Sequence, residues 1–170
     1  ISTQFALALR DSGSQVVHIA AVASRDGARA AALARLCEAP RSYADYATML
    51  ADDRVEAVYI GLPNSLHAEW AVRAAAAGRH VLCEKPLAQS LAEAGRMVEA
   101  CERHGVLLVE AFPYQFQPQT IETCRRVAAG EIGTVRVLQA TTGFPLVVAD
   151  NIRFQPEMGG GALLDVGCYC

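Results

Sequence analysis

Arg79-His80-Val81-Leu82-Cys83-Glu84-Lys85-Pro86-Leu87-Ala88 is the stretch on which the fold turns. Val81-Leu82-Cys83 is a short apolar run bounded by polar residues, the pattern of a buried strand. Pro86 has no amide hydrogen to give to a sheet ladder, so the strand ends before it. Glu84 and Lys85 therefore fall at the carboxyl end of a strand, the edge where open α/β sheets bind ligands. Taken alone, Glu84-Lys85-Pro86 reads as a solvated acid–base pair in a connecting loop. The pattern on either side reverses that reading.

Upstream, Val55 to Ile60 is another apolar strand, followed by the loop Gly61-Leu62-Pro63-Asn64, with Asn64 placed to cap a helix reaching Ala77 and Gly78. Further back, Val16 to Val22 is a nearly continuous apolar strand of the parallel-sheet kind. Asp26 starts an alanine-rich helix running to about Ala39-Pro40, and a short helix is expected around Tyr43 to Leu50. Ile1, Phe5, Ala8 and Leu9 recur at helical spacing before Gly13, so the sequence opens inside a helix. Downstream, Ser90 and Glu93 have capping-box spacing at the head of a helix ending near His104-Gly105, and Val106 to Val109 makes one more strand.

Strands alternating with helices through residue 110 predict an α/β fold with a Rossmann-type doubly wound parallel sheet. A sheet of this kind does not begin on a helix without a preceding strand, so a first strand and its glycine-rich turn are expected ahead of Ile1. After Glu110 the pattern changes. Gln117-Pro118 starts a helix that stops at Gly130, Thr134 to Thr142 alternates as a strand does, and Gly159-Gly160-Gly161 opens a last helix. The expected division is a dinucleotide-binding domain over 1–111 and the beginning of a second, α/β domain over 112–170.

Apolar residues make up 52% of the 170, charged ones 19%, and the net charge is −3. That composition excludes disorder and argues against nucleic acid and anionic membrane surfaces as partners. No apolar run is long enough for a transmembrane helix and no signal peptide is visible. Cys37, Cys83, Cys101, Cys124, Cys168 and Cys170 form no C-x-x-C pair, and His18, His67, His80 and His104 lack metal-ligand spacing. Reduced thiols in a cytoplasmic protein with no metal site are expected.

Three glycines opening a helix allow a ligand close to its N-terminus. Asp165 and Tyr169, four apart, share one face of that helix. A phenol and a carboxylate facing a lysine suit proton transfer during hydride exchange at a carbinol carbon, and a nearby ammonium lowers the pKa of a phenol. Without Lys85, the same two residues read as a half-buried helix start.

Glu84-Lys85-Pro86 after one strand, Pro63-Asn64-x-x-His67 after the one before, and the glycine-led Asp165 helix resemble, in order and spacing, the glucose–fructose oxidoreductase/inositol dehydrogenase (Gfo/Idh/MocA) family. The resemblance implies a Rossmann domain followed by an α/β domain with a large open sheet. It implies that Lys85 contacts cofactor and substrate and acts in proton transfer, that Glu84, Leu62, Pro63, Asn64 and His67 line the cofactor site, and that the Lys85–Pro86 peptide is cis. His67 has a second reading, a histidine satisfied by its own helix start. Many members carry histidine four residues after the aspartate; Tyr169 here resembles the dihydrodiol dehydrogenase and aldose dehydrogenase branch, as does Glu110-Ala111-Phe112-x-Tyr114. Tyr114 is then a substrate neighbour or, equally, a core tyrosine. Tyr169 is favoured as the proton carrier with Lys85 assisting, the opposite assignment staying open, and Asp165 completes the catalytic and substrate set.

Ala23-Ser24-Arg25-Asp26 follows the strand whose end reads the cofactor ribose. Ser24 and Arg25 supply a hydroxyl and a guanidinium to a 2′-phosphate, whereas Asp26 falls one position late for a ribose hydroxyl and fits a helix cap. NADP is preferred to NAD. The expectation is an NADP-dependent dehydrogenase or reductase of a sugar, cyclic diol or polyol, a homo-oligomer when full length and inactive as residues 1–170 alone. The alternative is a non-catalytic dinucleotide-binding regulatory or sensor protein of the same fold.

Overall fold

The computed structural model of the chain describes residues 2–148 and 151–170; Ile1, expected on the first helix, lies outside them. The element order is α1 (Ser2–Asp11), β1 (Val22–Ala23), α2 (Gly27–Leu36), β2 (Ser42–Tyr43), α3 (Tyr46–Leu50), β3 (Ala57–Ile60), α4 (His67–Ala76), β4 (His80–Glu84), α5 (Leu91–His104), β5 (Leu108–Ala111), α6 (Pro118–Ala128) and α7 (Ala162–Asp165). Every strand pair is parallel, as strand–helix–strand alternation requires. β3, β4 and β5 form one sheet in that order, with Ile60 beside Cys83 and Cys83 beside Glu110. β1 and β2 form a separate two-stranded ladder.

The core follows from the two-residue period of the strands. Val58, Ile60, Val81 and Cys83 are buried in one cluster with Ala68, Ala71, Ala74 and Ala75 of α4 and Met97, Ala100 and Cys101 of α5. Alanine along the inner face of α4 lets that helix approach the sheet closely, and Ala71 and Ala75 have no exposed surface. Tyr59, at the alternate position of β3, instead stacks on Phe5 of α1, their ring centroids 3.9 Å apart.

Local signals place the helix ends correctly. Asp26 caps α2 through Oδ1, accepting from the N–H groups of Ala28 and Arg29 at 2.9 and 3.1 Å. Ser90 caps α5, and Gly105 ends it in the left-handed conformation at φ 66°. Pro118 opens α6 at its first position. Asn64 does not cap α4: residues Asn64–Leu66 form a 3-10 turn ahead of it, with no side-chain cap bond. α3 begins at Tyr46 behind Asp45, and Tyr43, expected at its start, belongs to β2.

Two expected strands are not formed as read. Of Val16 to Val22 only Val22 enters a ladder, joined by Ala23, and Val16 is 89% exposed. An open, largely apolar cleft of about 530 Å³ separates this segment from β3, lined by both and by Phe5, Ala6 and Leu9 of α1. The facing edges of β1 and β3 meet no strand across it, so residues 16–21 have no ladder to join. Thr134 to Thr142 is also irregular, and its apolar residues Val137 and Leu138 are 83% and 78% exposed. Alternation alone does not make a strand where, among the described residues, no other strand lies alongside.

Candidate active site

The carboxyl ends of β3, β4 and β5 each deliver a loop to the same side of the sheet. β4 ends at Glu84, and the Lys85–Pro86 peptide that follows is cis. Lys85 is the only lysine in the sequence. The remaining strongly basic side chains are arginines, whose guanidinium keeps its proton in proteins. Any side-chain amine that exchanges a proton in this chain is therefore Lys85.

Its ammonium donates to the main-chain carbonyl of Asp165 and to Asp165 Oδ1, the latter at 3.3 Å, across 80 positions of sequence. The Lys85 and Asp165 side chains are only 9% and 15% exposed. The same ammonium lies 5.0 Å from the centroid of the Tyr169 ring. Asp165 and Tyr169 do not share one continuous helix as their spacing predicts. α7 stops at Asp165, Val166 breaks it, and Gly167–Tyr169 forms a separate 3-10 turn. The turn nonetheless brings the phenol back to the lysine. Tyr114, in the 3-10 turn after β5, packs edge-on against Tyr169 at 4.8 Å, and Phe112 lies 5.0 Å from the same ring. Tyr114 is 43% exposed, at the border of this aromatic cluster and outside the core.

Burial raises the pKa of the Tyr169 hydroxyl above the ordinary phenol value, and Glu84 and Asp165 among its neighbours push it the same way. The lowering expected from a nearby ammonium is absent. Lys85 lies over the ring and its charge is already paired with Asp165, so desolvation of the phenolate dominates. Tyr169 is therefore protonated at neutral pH and able to donate.

The surrounding residues hold this arrangement in place. The Tyr59 hydroxyl donates to Glu84 Oε1 at 2.7 Å, and the Lys85 N–H donates to Oε2 at 3.2 Å, so both oxygens of Glu84 are engaged within the chain. Burial, reinforced by Glu84, drives the Tyr59 hydroxyl upward and keeps it a donor. His67 is fully buried, with Nδ1 2.9 Å from the Pro86 carbonyl and Nε2 2.9 Å from the Leu62 carbonyl. Of its two sequence readings this is the satisfied histidine; it ties the loop after β3 to the loop after β4. Glu110 Oε1 accepts from the Leu87 N–H at 2.9 Å, pinning the same loop from β5. Asn64, free of the expected capping duty, donates through Nδ2 to the Gly159 carbonyl at 2.8 Å.

Leu62, Pro63, Asn64, Glu84, Lys85 and Asp165 line one cleft of about 310 Å³. Ser24 and Arg25 stand apart, at the end of β1. Arg25 is exposed, while Ser24 Oγ accepts from the Asp26 N–H at 3.2 Å. Asp26 is occupied as a helix cap, which leaves Ser24 and Arg25 as the polar groups of that turn. A dinucleotide laid along the carboxyl edge of parallel strands would meet Ser24-Arg25 at one end and Lys85 at the other, and the donor set fits a phosphorylated ribose. Sequence reasoning missed Arg153, whose Nε donates to Asp165 Oδ2 at 2.6 Å. Its one sequence signal is a basic residue in the turn ahead of the three glycines.

Of the six thiols, Cys37, Cys83 and Cys101 are buried, whereas Cys124 and Cys170 are exposed and Cys168 is intermediate. Burial pushes the Cys83 thiol up to about 12, so it is inert despite its place beside Glu84.

Residues 1–112 match the model of an oxidoreductase family with an NAD-binding Rossmann fold, and residues 121–170 match the Gfo/Idh/MocA C-terminal domain. D-xylose 1-dehydrogenase (NADP(+)) 2 of Haloferax volcanii is 48% identical over 151 residues, 88% of this chain and 46% of that protein. A trans-1,2-dihydrobenzene-1,2-diol dehydrogenase of Danio rerio is 35% identical across the whole chain and 51% of its own length. Among solved structures, a 3-ketoreductase from Actinomadura kijaniata in complex with NADP and TDP-benzene superimposes with a TM-score of 0.89 at 36% identity, covering 96% of this chain and 50% of that one. That reductase has also been crystallised with one lysine replaced and with one tyrosine replaced by phenylalanine, at positions as far apart in its sequence as Lys85 and Tyr169 are here. The chain spans about half the length of the curated relatives it matches. Two family models in sequence order, over a parallel sheet whose β4 ends in Glu84-Lys85-Pro86, place the chain in the Gfo/Idh/MocA oxidoreductase family.

Proposed function

We propose that the complete protein is an NADP-dependent oxidoreductase moving hydride between the nicotinamide and a C–OH/C=O carbon of a sugar, cyclic diol or polyol. One observation carries the reading: Lys85, Asp165 and Tyr169 converge at the carboxyl end of β4. A sensor would need no such group of proton carriers. The lysine and tyrosine substituted in the related 3-ketoreductase, at the same separation, support the same pair. Domains at 1–111 and 112–170 accord with this reading, the first holding cofactor and the second closing over substrate.

When bound, the cofactor supplies or accepts the hydride. The chain's own residues manage the proton and the charge. In reduction, the neutral Tyr169 hydroxyl donates a proton to the oxygen developing negative charge, and the Lys85 ammonium stabilises that charge from the other side. In oxidation the same groups take the proton back. Asp165 keeps the ammonium charged and aimed, and Tyr114 and Phe112 present aromatic surface to the substrate ring. At the far end of the cofactor, Ser24 and Arg25 receive the 2′-phosphate. We read the protein as a cytoplasmic homo-oligomer: six free cysteines suit a reducing compartment, and apolar Ile132, Val137, Leu138 and Val147 stand exposed. Among the described residues no helix is long and apolar enough to cross a membrane.

The test is turnover by the full-length protein on a panel of D-xylose, scyllo-inositol and trans-1,2-dihydrobenzene-1,2-diol with NADP. Lys85→Ala and Tyr169→Phe should each lower kcat by roughly a hundredfold or more, the worth of an acid–base group, with NADPH still bound. Wild-type rates in both variants would sink the assignment and leave the sensor reading.

A further inference from the structure

We infer that Arg153 is a positioning residue of this site, acting on the proton carriers through Asp165. The inference rests on the reading of Lys85 and Tyr169 given above. The Asp165 carboxylate is divided between two cations, with Oδ2 accepting from Arg153 Nε at 2.6 Å and Oδ1 lying 3.3 Å from the Lys85 ammonium. A carboxylate held at only one oxygen is free to turn about its terminal bond. Held at both, it keeps one orientation. Arg153 keeps its charge at every working pH, so its hold on Asp165 does not titrate with the chemistry.

Arg153 is itself held by main-chain packing. Its N–H donates to Asn151 Oδ1 at 3.0 Å, and its carbonyl accepts from the Gly161 N–H at 2.9 Å. A Cβ on Gly160 would sit 2.7 Å from the carbonyl oxygens of both Ile152 and Arg153, so a glycine there lets the Arg153 turn close on the start of α7. The guanidinium also lies 5.8 Å from the Phe144 ring centroid. The Arg153 side chain is 33% exposed and lines the cleft that holds Lys85. The three-glycine turn thus has a use beyond ligand approach: it docks a cation onto the carboxylate that orients the lysine.

Asp165 gives Lys85 both a main-chain carbonyl and Oδ1, leaving one of the three ammonium donors for a substrate oxygen. Were Asp165 to swing, that remaining donor would point elsewhere. A misplacement of about 1 Å in a reacting group costs up to about a hundredfold in rate.

Arg153→Ala in the full-length protein should lower kcat ten- to a hundredfold on whichever substrate of the panel is turned over, while NADPH affinity, read by fluorescence titration, changes less than about threefold. Adding guanidinium to the Arg153→Ala enzyme, or substituting Arg153→Lys, should recover part of the lost kcat, because each returns a cation to Oδ2. Wild-type kcat in Arg153→Ala overturns the inference. So does a loss that neither guanidinium nor lysine repairs, or one that falls on NADPH binding alone. The outcomes separate from those of the parent reading: Lys85→Ala inactive with Arg153→Ala unimpaired removes only the inference, and Lys85→Ala fully active removes both.

Discussion

A single carboxylate decides what the turn after β1 can recognise. An acid free at that place would accept the two hydroxyls of an unphosphorylated ribose and repel a 2′-phosphate. Asp26 is not free: its Oδ1 is spent on the first turn of α2. The exposed Arg25 is then the charged group that a phosphate would meet. Arg25→Ala should weaken NADP binding by roughly ten- to a hundredfold, the worth of a charge-assisted hydrogen bond, and leave NAD nearly unchanged. Isothermal titration of the full-length variant with both dinucleotides checks this, and equal losses for the two would remove the phosphate assignment. At this scale the sequence was most informative where chemistry is local. Asp26 as a cap and Lys85 at a strand end follow from spacing and residue type. The clamps Arg153, Glu110 and Tyr59 do not, because each acts on a partner that only the fold brings near.

Elements differ in how much of their definition they carry within themselves. Helices α2, α5 and α6 announce their own ends through Asp26, Ser90 with Gly105, and Pro118, since caps satisfy backbone groups only a few residues away. Strands depend on neighbours. Ser42–Tyr43 becomes β2 only because β1 lies beside it, while Thr134 to Thr142, with a better alternating pattern, has no companion and stays irregular. The glycine turn before α7 falls between these cases: its composition is plain in sequence, but its purpose lies in the fit against residues 151–155. Gly160 meets backbone oxygens of Ile152, Arg153 and Gln155, which cannot rotate away as a side chain would. Gly160→Ala should therefore cost about 1–3 kcal/mol, the usual range for overpacking, and lower kcat by loosening Arg153 from Asp165. Denaturant unfolding and steady-state rates, measured on the same variant, check both effects. Unchanged stability and kcat would mean that the turn relaxes freely.

Across the whole molecule, packing divides the chain into a firm part and a loose one. β4 is hydrogen-bonded on both sides and buries Val81 and Cys83 against Ala71, Ala75 and Met97. Opening it would expose that cluster, so its amides should exchange only through the largest unfolding event available to the chain. β1 and β2 contribute two paired residues each and face the apolar cleft, while residues 135–148 lie outside any ladder. Hydrogen exchange of the 170-residue chain, read by mass spectrometry, should protect the peptide spanning Val81–Cys83 most strongly. The β1–β2 peptides should be intermediate, and residues 135–148 should exchange at nearly the unprotected rate. The order matters for function, because Lys85 is anchored at the end of the firmest strand, whereas Asp165 and Tyr169 reach it from beyond the loosest segment. A site assembled this way has a fixed amine and a phenol that must be brought to it. Protection of residues 135–148 equal to that of β4 would show the two parts to be one cooperative unit and remove this division.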